Sequence, residues 1–526
     1  MQPVPRHGRS AAAVSAPRTE RLALYLVLTA VVILDGAATA IALPKLQDGL
    51  SLSVVELQWV VNATSIAWAV LLVPAGRRAD RIGHWPSVRQ GLVPLAVGSG
   101  CVAVAPDFAV LMAGRVGQGI GAAMTTPSVI ALLIQAAPRG ERGHALGRFG
   151  AVLGLLELLV PVYAGLLVVA LGWRSVFVSA LLFSLIAWGC ARGRGSHTAG
   201  APAPRMDWGG TLLLAALVLA LVLGTIEVHS SGIGSLPALA LFGAAVVAAA
   251  AFVVAERRAD APTVDLGLFR SAEFSATLAV LLFVFFAIGL YLFFITIYLQ
   301  RALHMSALLA AIGLVPTSLF TILLSARIGR LGDRTAHYPL VMAGLLIFSG
   351  GLLLTVSGTK TLTYLDLLPA IVALGVGMAL FRGPLVSLFY NSVPDHQAGM
   401  RTATSEVVGR LGGVMGVAIG VTIFLAVTTA DLNARLPAVG IQHHVTATEL
   451  QTLWSNPTST KQEYRALPPP VRQQLRKIVT DTANDALAVT LFACAALVGV
   501  LGLTLVGLAA YRSRHRRGGG ASPTSF

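Results

Sequence analysis

Fourteen long apolar runs fix what this 526-residue chain can fold into. They begin near Leu22, Leu57, Val88, Phe108, Ala145, Ser175, Gly209, Leu236, Ala276, Leu308, Leu340, Tyr364, Thr404 and Ala486. Each is near the ~20 residues that a helix needs to cross a bilayer. A backbone in hydrocarbon must satisfy its own hydrogen bonds, so the runs are expected to be helices, and no stretch reads as a strand. Only 12% of the residues are charged and 56% are hydrophobic, against about a quarter charged in soluble domains. The expectation is an all-α, multi-pass membrane protein.

The net charge of +15 would suggest nucleic acid in a soluble protein. Here the arginines sit in alternate connections, so topology explains them and no nucleic-acid partner is expected. With the N-terminus inside, loops 2–3, 4–5, 6–7, 8–9, 10–11 and 12–13 are cytoplasmic and hold most of the basic residues, from Arg77, Arg78 and Arg81 to Arg401. The short outer loops carry only Lys45, Arg174, Arg301 and Lys360. This is the positive-inside bias, and it places both termini in the cytoplasm. Ala38-Thr39-Ala40 faintly resembles a signal-peptidase site, but the run from Leu22 to Leu43 is long enough to span and many spans follow. Cys101, Cys190 and Cys494 all lie in apolar runs and read as packing residues rather than disulfides or metal ligands.

The stretch Gly76-Arg77-Arg78-Ala79-Asp80-Arg81-Ile82-Gly83-His84 lies between two apolar runs, and it reads as a short turn at the membrane surface. Gly329-Arg330-Leu331-Gly332-Asp333-Arg334 echoes it, which indicates an internal repeat. The copies are eight spans apart rather than six, so two helices have been inserted between the halves. Spans seven and eight, after the Gly/Ser/Pro-rich linker Gly193 to Pro204, fit that role. The expected organisation is a cytoplasmic tail (1–21), an N-terminal six-helix bundle (22–192), a linker (193–207), the inserted pair (208–260), a C-terminal six-helix bundle (261–511) and a basic tail (512–526). Within the second bundle, 431–485 is polar and reads as an extracellular loop in which Val471 to Val479 can form a short amphipathic helix.

Charges inside spans cost at least ~2.5–3.5 kcal/mol at mid-bilayer on insertion scales, so each is a functional candidate. Asp35, Arg115, Glu157, Arg382, Glu406 and Arg410 are of this kind. Asp35 is the first candidate for a proton carrier, because burial and release can swing a carboxyl's proton affinity. Glu157 is a second titrating or cation-binding candidate. Arg382 can pair with Asp35 or Glu157, or hold an anionic substrate group. Glu406 and Arg410 share one helix face at i,i+4. Asp80 is expected to accept hydrogen bonds from a helix N-terminus or an arginine across the two halves, with Asp333 its counterpart. Gly76 and Gly83 are expected to make the turn. Asn62, Trp68, Gln118 and Tyr291 are candidate cavity-lining groups, and the ninth span is rich in aromatics from Phe283 to Tyr298.

The motifs together resemble the fourteen-helix drug:proton antiporter branch of the major facilitator superfamily, from about Leu34 to Leu425. Leu34-Asp35 with Ala42-Leu43-Pro44, Gly76 to Gly83, Arg115 to Gly121, Asp207-Trp208-Gly209, Leu268-Phe269-Arg270 and Tyr298 to Pro316 carry the likeness in order and spacing. The fifth-helix motif departs from it: Val160-Pro161-Val162-Tyr163-Ala164-Gly165 stands where the family has Gly-Pro-x-x-Gly-Gly. The resemblance implies two pseudo-symmetric six-helix bundles plus the inserted pair, and proton-driven efflux of drugs or antibiotics from the cytoplasmic membrane. It implies no cofactor beyond the proton motive force. It also implies that Arg115, in the fourth-helix motif, assists proton transfer. Protons, a small molecule and the bilayer are the expected partners; oligomeric state is open, with a monomer the expectation. A symporter or lipid or metabolite exporter of the same fold, or a transport-dead relative acting as receptor or scaffold, are the alternatives. No P-loop, His-Glu-x-x-His, Cys-x-x-Cys or Gly-x-Ser-x-Gly occurs, so an ATP-driven pump or an enzyme is not expected.

Overall fold

The computed structural model describes residues 38–136, 142–192, 208–231, 234–259, 266–332, 337–358, 363–391, 398–435, 469–508 and 511. Among them there are no strands, and 13 helices are long and apolar enough to cross a membrane. The described part of α1 covers 38–50. Then follow α2 (Val54–Ile82), α3 (His84–Val104), α4 (Phe108–Ala136), α5 (Arg142–Leu171), α6 (Arg174–Ala191), α7 (Trp208–Ser231) and α8 (Leu236–Arg258). The second half has α9 (Ala272–Arg301), α10 (Ala307–Gly332), α11 (His337–Gly358), α12 (Tyr364–Asn391), α13 (Ala398–Arg435) and α14, which runs from Pro469 through a π-helical stretch, Leu497–Gly502, to residue 508.

Local signals set several helix starts. Ser53 and Glu56 form a reciprocal cap on α2: the Ser53 Oγ accepts from the Glu56 N–H at 3.1 Å and the Glu56 carboxylate accepts from the Ser53 N–H at 2.7 Å. The Ser235 and Ser271 hydroxyls cap α8 and α9 by accepting from the Ala238 and Phe274 N–H groups.

The repeat is visible in the packing. In the first half α2 and α3 both pack on α4, and α3 packs on α6; in the second, α10 and α11 pack on α12, and α11 on α14. Small residues permit these approaches. A Cβ on Gly98 would sit 2.5 Å from the Gly114 carbonyl, and one on Gly344 2.9 Å from the Gly377 carbonyl. The halves meet through α5 on α10 and α2 on α13, pairs that exchange under the same shift of eight helices. Of the inserted pair, α7 leans on both α2 and α13, and α8 packs chiefly on α7. Val246 and Val247 of α8 are left exposed, as a lipid-facing helix requires.

Two expectations are corrected. The stretch 76–84 is mostly helix rather than a turn: α2 continues to Ile82 and α3 begins at His84. At 29 residues α2 is about 44 Å long, against ~30 Å of hydrocarbon, so its arginines clear the membrane without leaving the helix. The turn is one residue, Gly83, at φ 93°, a conformation that favours glycine; Gly76 lies inside the helix and makes no turn. The polar segment 431–485 is likewise not all loop. Helix α13 continues to Arg435 and α14 begins at Pro469, so Val471 to Val479 belong to a long helix. Arg435 joins the two extensions, donating from Nε to Asp431 at 3.0 Å and from Nη2 to Asp485 at 2.7 Å, while Thr482 donates to Asp431 at 2.7 Å. The tails and the linker 193–207 lie outside the described residues.

Candidate functional site

Two polar centres occupy the middle of the bundle. The first is sealed inside the N-terminal half. Arg115, in α4, is 2% exposed. Its Nε donates to the Val60 carbonyl at 2.8 Å, and its Nη1 donates to the Thr39 hydroxyl at 3.1 Å and to Gln118 Oε1 at 2.9 Å. Gln118 in turn donates to Ser99 Oγ at 3.0 Å, and the Thr64 hydroxyl donates to the Arg115 carbonyl at 3.0 Å. One guanidinium thus ties α1, α2 and α4 together, and Gln118 extends the network to α3. Close approach of α2 and α4 depends on Gly119, where a Cβ would stand 2.4 Å from the Thr64 carbonyl. Asp35, four residues before Thr39, lies outside the described residues.

The second centre lies between the halves. Glu157 of α5 and Arg382 of α12 form a two-pronged ion pair: Nη1 donates to Oε2 and Nη2 to Oε1, both at 2.9 Å. The Arg382 and Glu157 side chains are 46% and 40% exposed, although both sit near the middles of apolar helices. The exposed Leu155, Leu159, Leu166 and Val169 mark the lipid face of α5, and Glu157 points the opposite way. An ion pair on that inner face lines a polar gap between the halves rather than the acyl chains. Glu406 of α13 lies within Coulombic reach of Arg382 and makes no hydrogen bond or ion pair among the described residues. The i,i+4 link from Glu406 to Arg410 is not made. Arg410 instead lies over the Trp68 ring of α2, 3.4 Å from its centroid, because a guanidinium finds a desolvated aromatic face there.

The other candidates are placed as follows. Asn62 is 1% exposed and donates from Nδ2 to the Val414 carbonyl at 3.4 Å, across the halves, while its Oδ1 is buried without a partner. Tyr291 is 3% exposed, with a buried hydroxyl that finds no hydrogen-bond partner. The aromatics of α9 are mostly packed inward: Phe294, for example, meets Phe424 of α13 at 5.2 Å between centroids. Asp80 is 64% exposed, and its described side-chain contact is with the His84 imidazole, 3.8 Å away on the next helix rather than across the halves. Arg81 is exposed, and Asp333 lies outside the described residues.

One cluster escaped the sequence reading. Arg301, at the end of α9, donates from Nη2 to the Pro44 carbonyl at 3.1 Å, to Gln47 Oε1 at 3.2 Å and to the Asp48 carboxylate, all on α1. Gln300 beside it donates to the Ile41 carbonyl at 3.1 Å. At the same end, a Cβ on Gly165 of α5 would stand 2.7 Å from Leu308 Cα and 2.9 Å from the Ala307 carbonyl. So the surviving glycine of the eroded fifth-helix motif lets the halves close there. No local pattern pairs Arg301 with Asp48, 253 positions away.

Comparison with known proteins agrees with this architecture. The family model of the Major Facilitator Superfamily matches residues 25–417. The chain is 30% identical over 426 residues to the tetracenomycin C resistance and export protein of Streptomyces glaucescens, covering 78% of this chain and 77% of that protein. It is 32% identical over 419 residues to the puromycin resistance protein of Streptomyces alboniger, covering 78% and 82%. Among solved structures, the unoccupied, inward-facing crystal structure of a bacterial homologue of the human lysosomal transporter Spinster superposes with a TM-score of 0.66 at 16% identity, covering 94% of this chain and 98% of that one. The paired halves, the cross-half contacts and the family match lead to one assignment: the chain belongs to the major facilitator superfamily.

Proposed function

We propose that the protein exports amphipathic small molecules, of the drug and antibiotic kind, across the cytoplasmic membrane in exchange for protons. The observation that carries this reading is the charged gap between the halves. Glu157, Arg382, Glu406 and Arg410 come from three helices, α5, α12 and α13, beside Trp68 of α2, in the position where two rocking bundles hold their substrate. The likeness to resistance and export proteins supports the substrate kind.

The arginine-rich Gly83 end is read as cytoplasmic by the positive-inside bias, and the Arg301 end as external. The contacts of Arg301 and the fit of Gly165 on Ala307 and Leu308 then close the outer side. Substrate enters from the cytoplasm and meets the open pair at mid-span. The Glu157–Arg382 bond holds this conformer, since it joins one half to the other. It must break as the halves rock outward, and Asp80 is then placed to contact the opposite half. Protons return on the carboxyls. Asp35 is the carrier proposed from its position, and Glu406, with no ion pair among the described residues, is the carrier proposed from geometry. Arg115 holds α1, α2 and α4 in register, and through that positioning it is proposed to assist the proton transfer.

The test is a panel of toxic compounds against cells with and without the protein, followed by transport in everted vesicles under an imposed pH gradient. Gradient-driven accumulation that Asp35→Asn abolishes, in protein that still folds, supports the reading. Full accumulation after the gradient is collapsed refutes it.

A further inference from the structure

Two arginines stand on an outer edge of the N-terminal half, away from the charged gap. Arg89 lies five residues into α3 from its inner end at His84, ~7.5 Å along the axis. At 21 residues α3 is about 31 Å long, close to the ~30 Å of hydrocarbon, so Arg89 belongs to the span and not to a loop that sets topology. Helix α6 packs beside α3 and runs the opposite way. A Cβ on Gly100 would stand 3.7 Å from Leu181 Cδ2, which fixes the relative height of the two helices. Arg89 lies 11 residues inward of Gly100, and Arg192, which caps α6, lies 11 residues inward of Leu181. That separation is close to three full turns, so both arginines return to the facing edges of α3 and α6 at one height. The same edge meets lipid: Val93, Val97 and Val104 on the Arg89 stripe and Leu185 on the Arg192 stripe are exposed.

Neither arginine has an acid partner among the described residues. Arg192 lays its guanidinium over the Trp188 ring, 3.6 Å from the centroid, and a stacked guanidinium keeps its N–H edge free to donate. Between Arg81 and Arg192 the acids are Asp107 at the outer end of α4, Glu157 at mid-span in α5, and Glu141, outside the described residues. Asp80, at the inner end of α2, has its described contact with His84. Helix packing does not require the pair. The counterpart helices of the second half join without it: α11 carries no charge after His337, and α14 none between Asp485 and Tyr511.

Two like charges at one height repel unless an anion lies between them. At the inner boundary of a bilayer the anion at hand is a lipid phosphate, and a long arginine side chain reaches that level from inside the span. We propose that Arg89 and Arg192 form a headgroup site for an anionic phospholipid of the inner leaflet. The phosphate accepts from both guanidinium groups, Trp188 stands at the headgroup level as interfacial tryptophans do, and the acyl chains lie along Val93, Val97 and Leu185. A free phosphate shares the headgroup chemistry but has no chains for the apolar stripe, so the lipid is the occupant the surface fits.

The experiment titrates the purified full-length protein in detergent with dioleoylphosphatidylglycerol and counts bound lipid by native mass spectrometry, with dioleoylphosphatidylcholine and inorganic phosphate as the other arms. The wild type is expected to hold one phosphatidylglycerol more tightly than any further copy, and about tenfold or more tightly than phosphatidylcholine. Arg89→Gln and Arg192→Gln are each expected to weaken that site by about tenfold, and Arg192→Lys to retain part of it. Arg257→Gln, which removes an exposed charge at the inner end of α8, is expected to leave it unchanged. Arg192 lies at the exposed end of α6, so Arg192→Gln carries the test should Arg89→Gln fail to fold. Wild-type affinity in Arg192→Gln overturns the proposal. An equal loss in Arg257→Gln overturns it as well, since the attraction is then diffuse. Equal binding of phosphatidylcholine, or full displacement of the lipid by millimolar inorganic phosphate, does the same. None of these readouts depends on transport.

Discussion

Arg115 and Arg382 are both guanidinium groups in the middle of apolar helices, and their surroundings are opposite. Arg115 is 2% exposed, and its named partners, a carbonyl, a hydroxyl and an amide, all belong to its own half. Arg382 is 46% exposed at the side chain and is held by a single carboxylate from the other half. A buried donor set that satisfies neutral acceptors from several helices fixes a structure. An open pair that bridges two moving bodies can be made and broken at modest cost, because water takes over both partners. The same residue type thus acts as a fastener in one place and as part of a working site in the other.

Substitutions at the two centres can break this contrast. The largest effect is expected at Arg115. Arg115→Ala removes the donor that Val60, Thr39 and Gln118 share and is expected to cost on the order of 3 kcal/mol, read as loss of folded protein in thermal unfolding. Arg115→Lys is expected to fail as well, since an ammonium cannot span the same set of acceptors. Glu157→Gln is expected to cut transport by about tenfold, ~1.4 kcal/mol, and to shift stability by less than about 1 kcal/mol. The charge-swapped double variant, Glu157→Arg with Arg382→Glu, is expected to recover part of the transport. If Glu157→Gln destabilised the fold as much as Arg115→Ala, the division into sealed and open centres would fail. Gly165→Leu sharpens the account at the closed end. Its side chain meets the backbone at Ala307 and Leu308, so spin labels on the adjoining ends of α5 and α10 are expected to report a longer distance. Asp48→Asn is the mildest change. It removes one partly exposed ion pair, 29% and 40% exposed at the Arg301 and Asp48 side chains, and leaves the Pro44 and Gln47 contacts. An effect below about 1 kcal/mol on the conformer balance is expected by the same labels.

The sequence made the architecture legible because hydrophobic length and arginine placement are local properties. The repeated Gly-Arg-x-x-Asp-Arg pattern and its offset of eight spans anticipated the inserted pair, and the packing of α7 and α8 fits that place. Helix ends were read less well. A polar stretch such as 76–84 or 469–485 is equally compatible with a loop and with a helix that outlasts the bilayer, and the run Pro468-Pro469-Pro470 does not decide it, since prolines suit a loop and the first turn of a helix alike. Of the candidate site, the charged residues could be found by their cost in hydrocarbon. Their partners could not. Glu157 and Arg382 are 225 positions apart, and the choice of Arg410 for Trp68 over Glu406 depends on how α2 meets α13. The contacts of Arg301 were missed because an arginine at a helix end reads only as a topology signal.

Among the described residues, the account turns on the open centre, where Glu406 is proposed to exchange protons for substrate beside the carrier proposed at Asp35. The direct measurement is transport by Glu406→Gln in everted vesicles, comparing gradient-driven accumulation with exchange of labelled for unlabelled substrate. The predicted result is folded protein that still exchanges substrate but no longer accumulates it under a pH gradient. Accumulation at the wild-type rate would contradict the account.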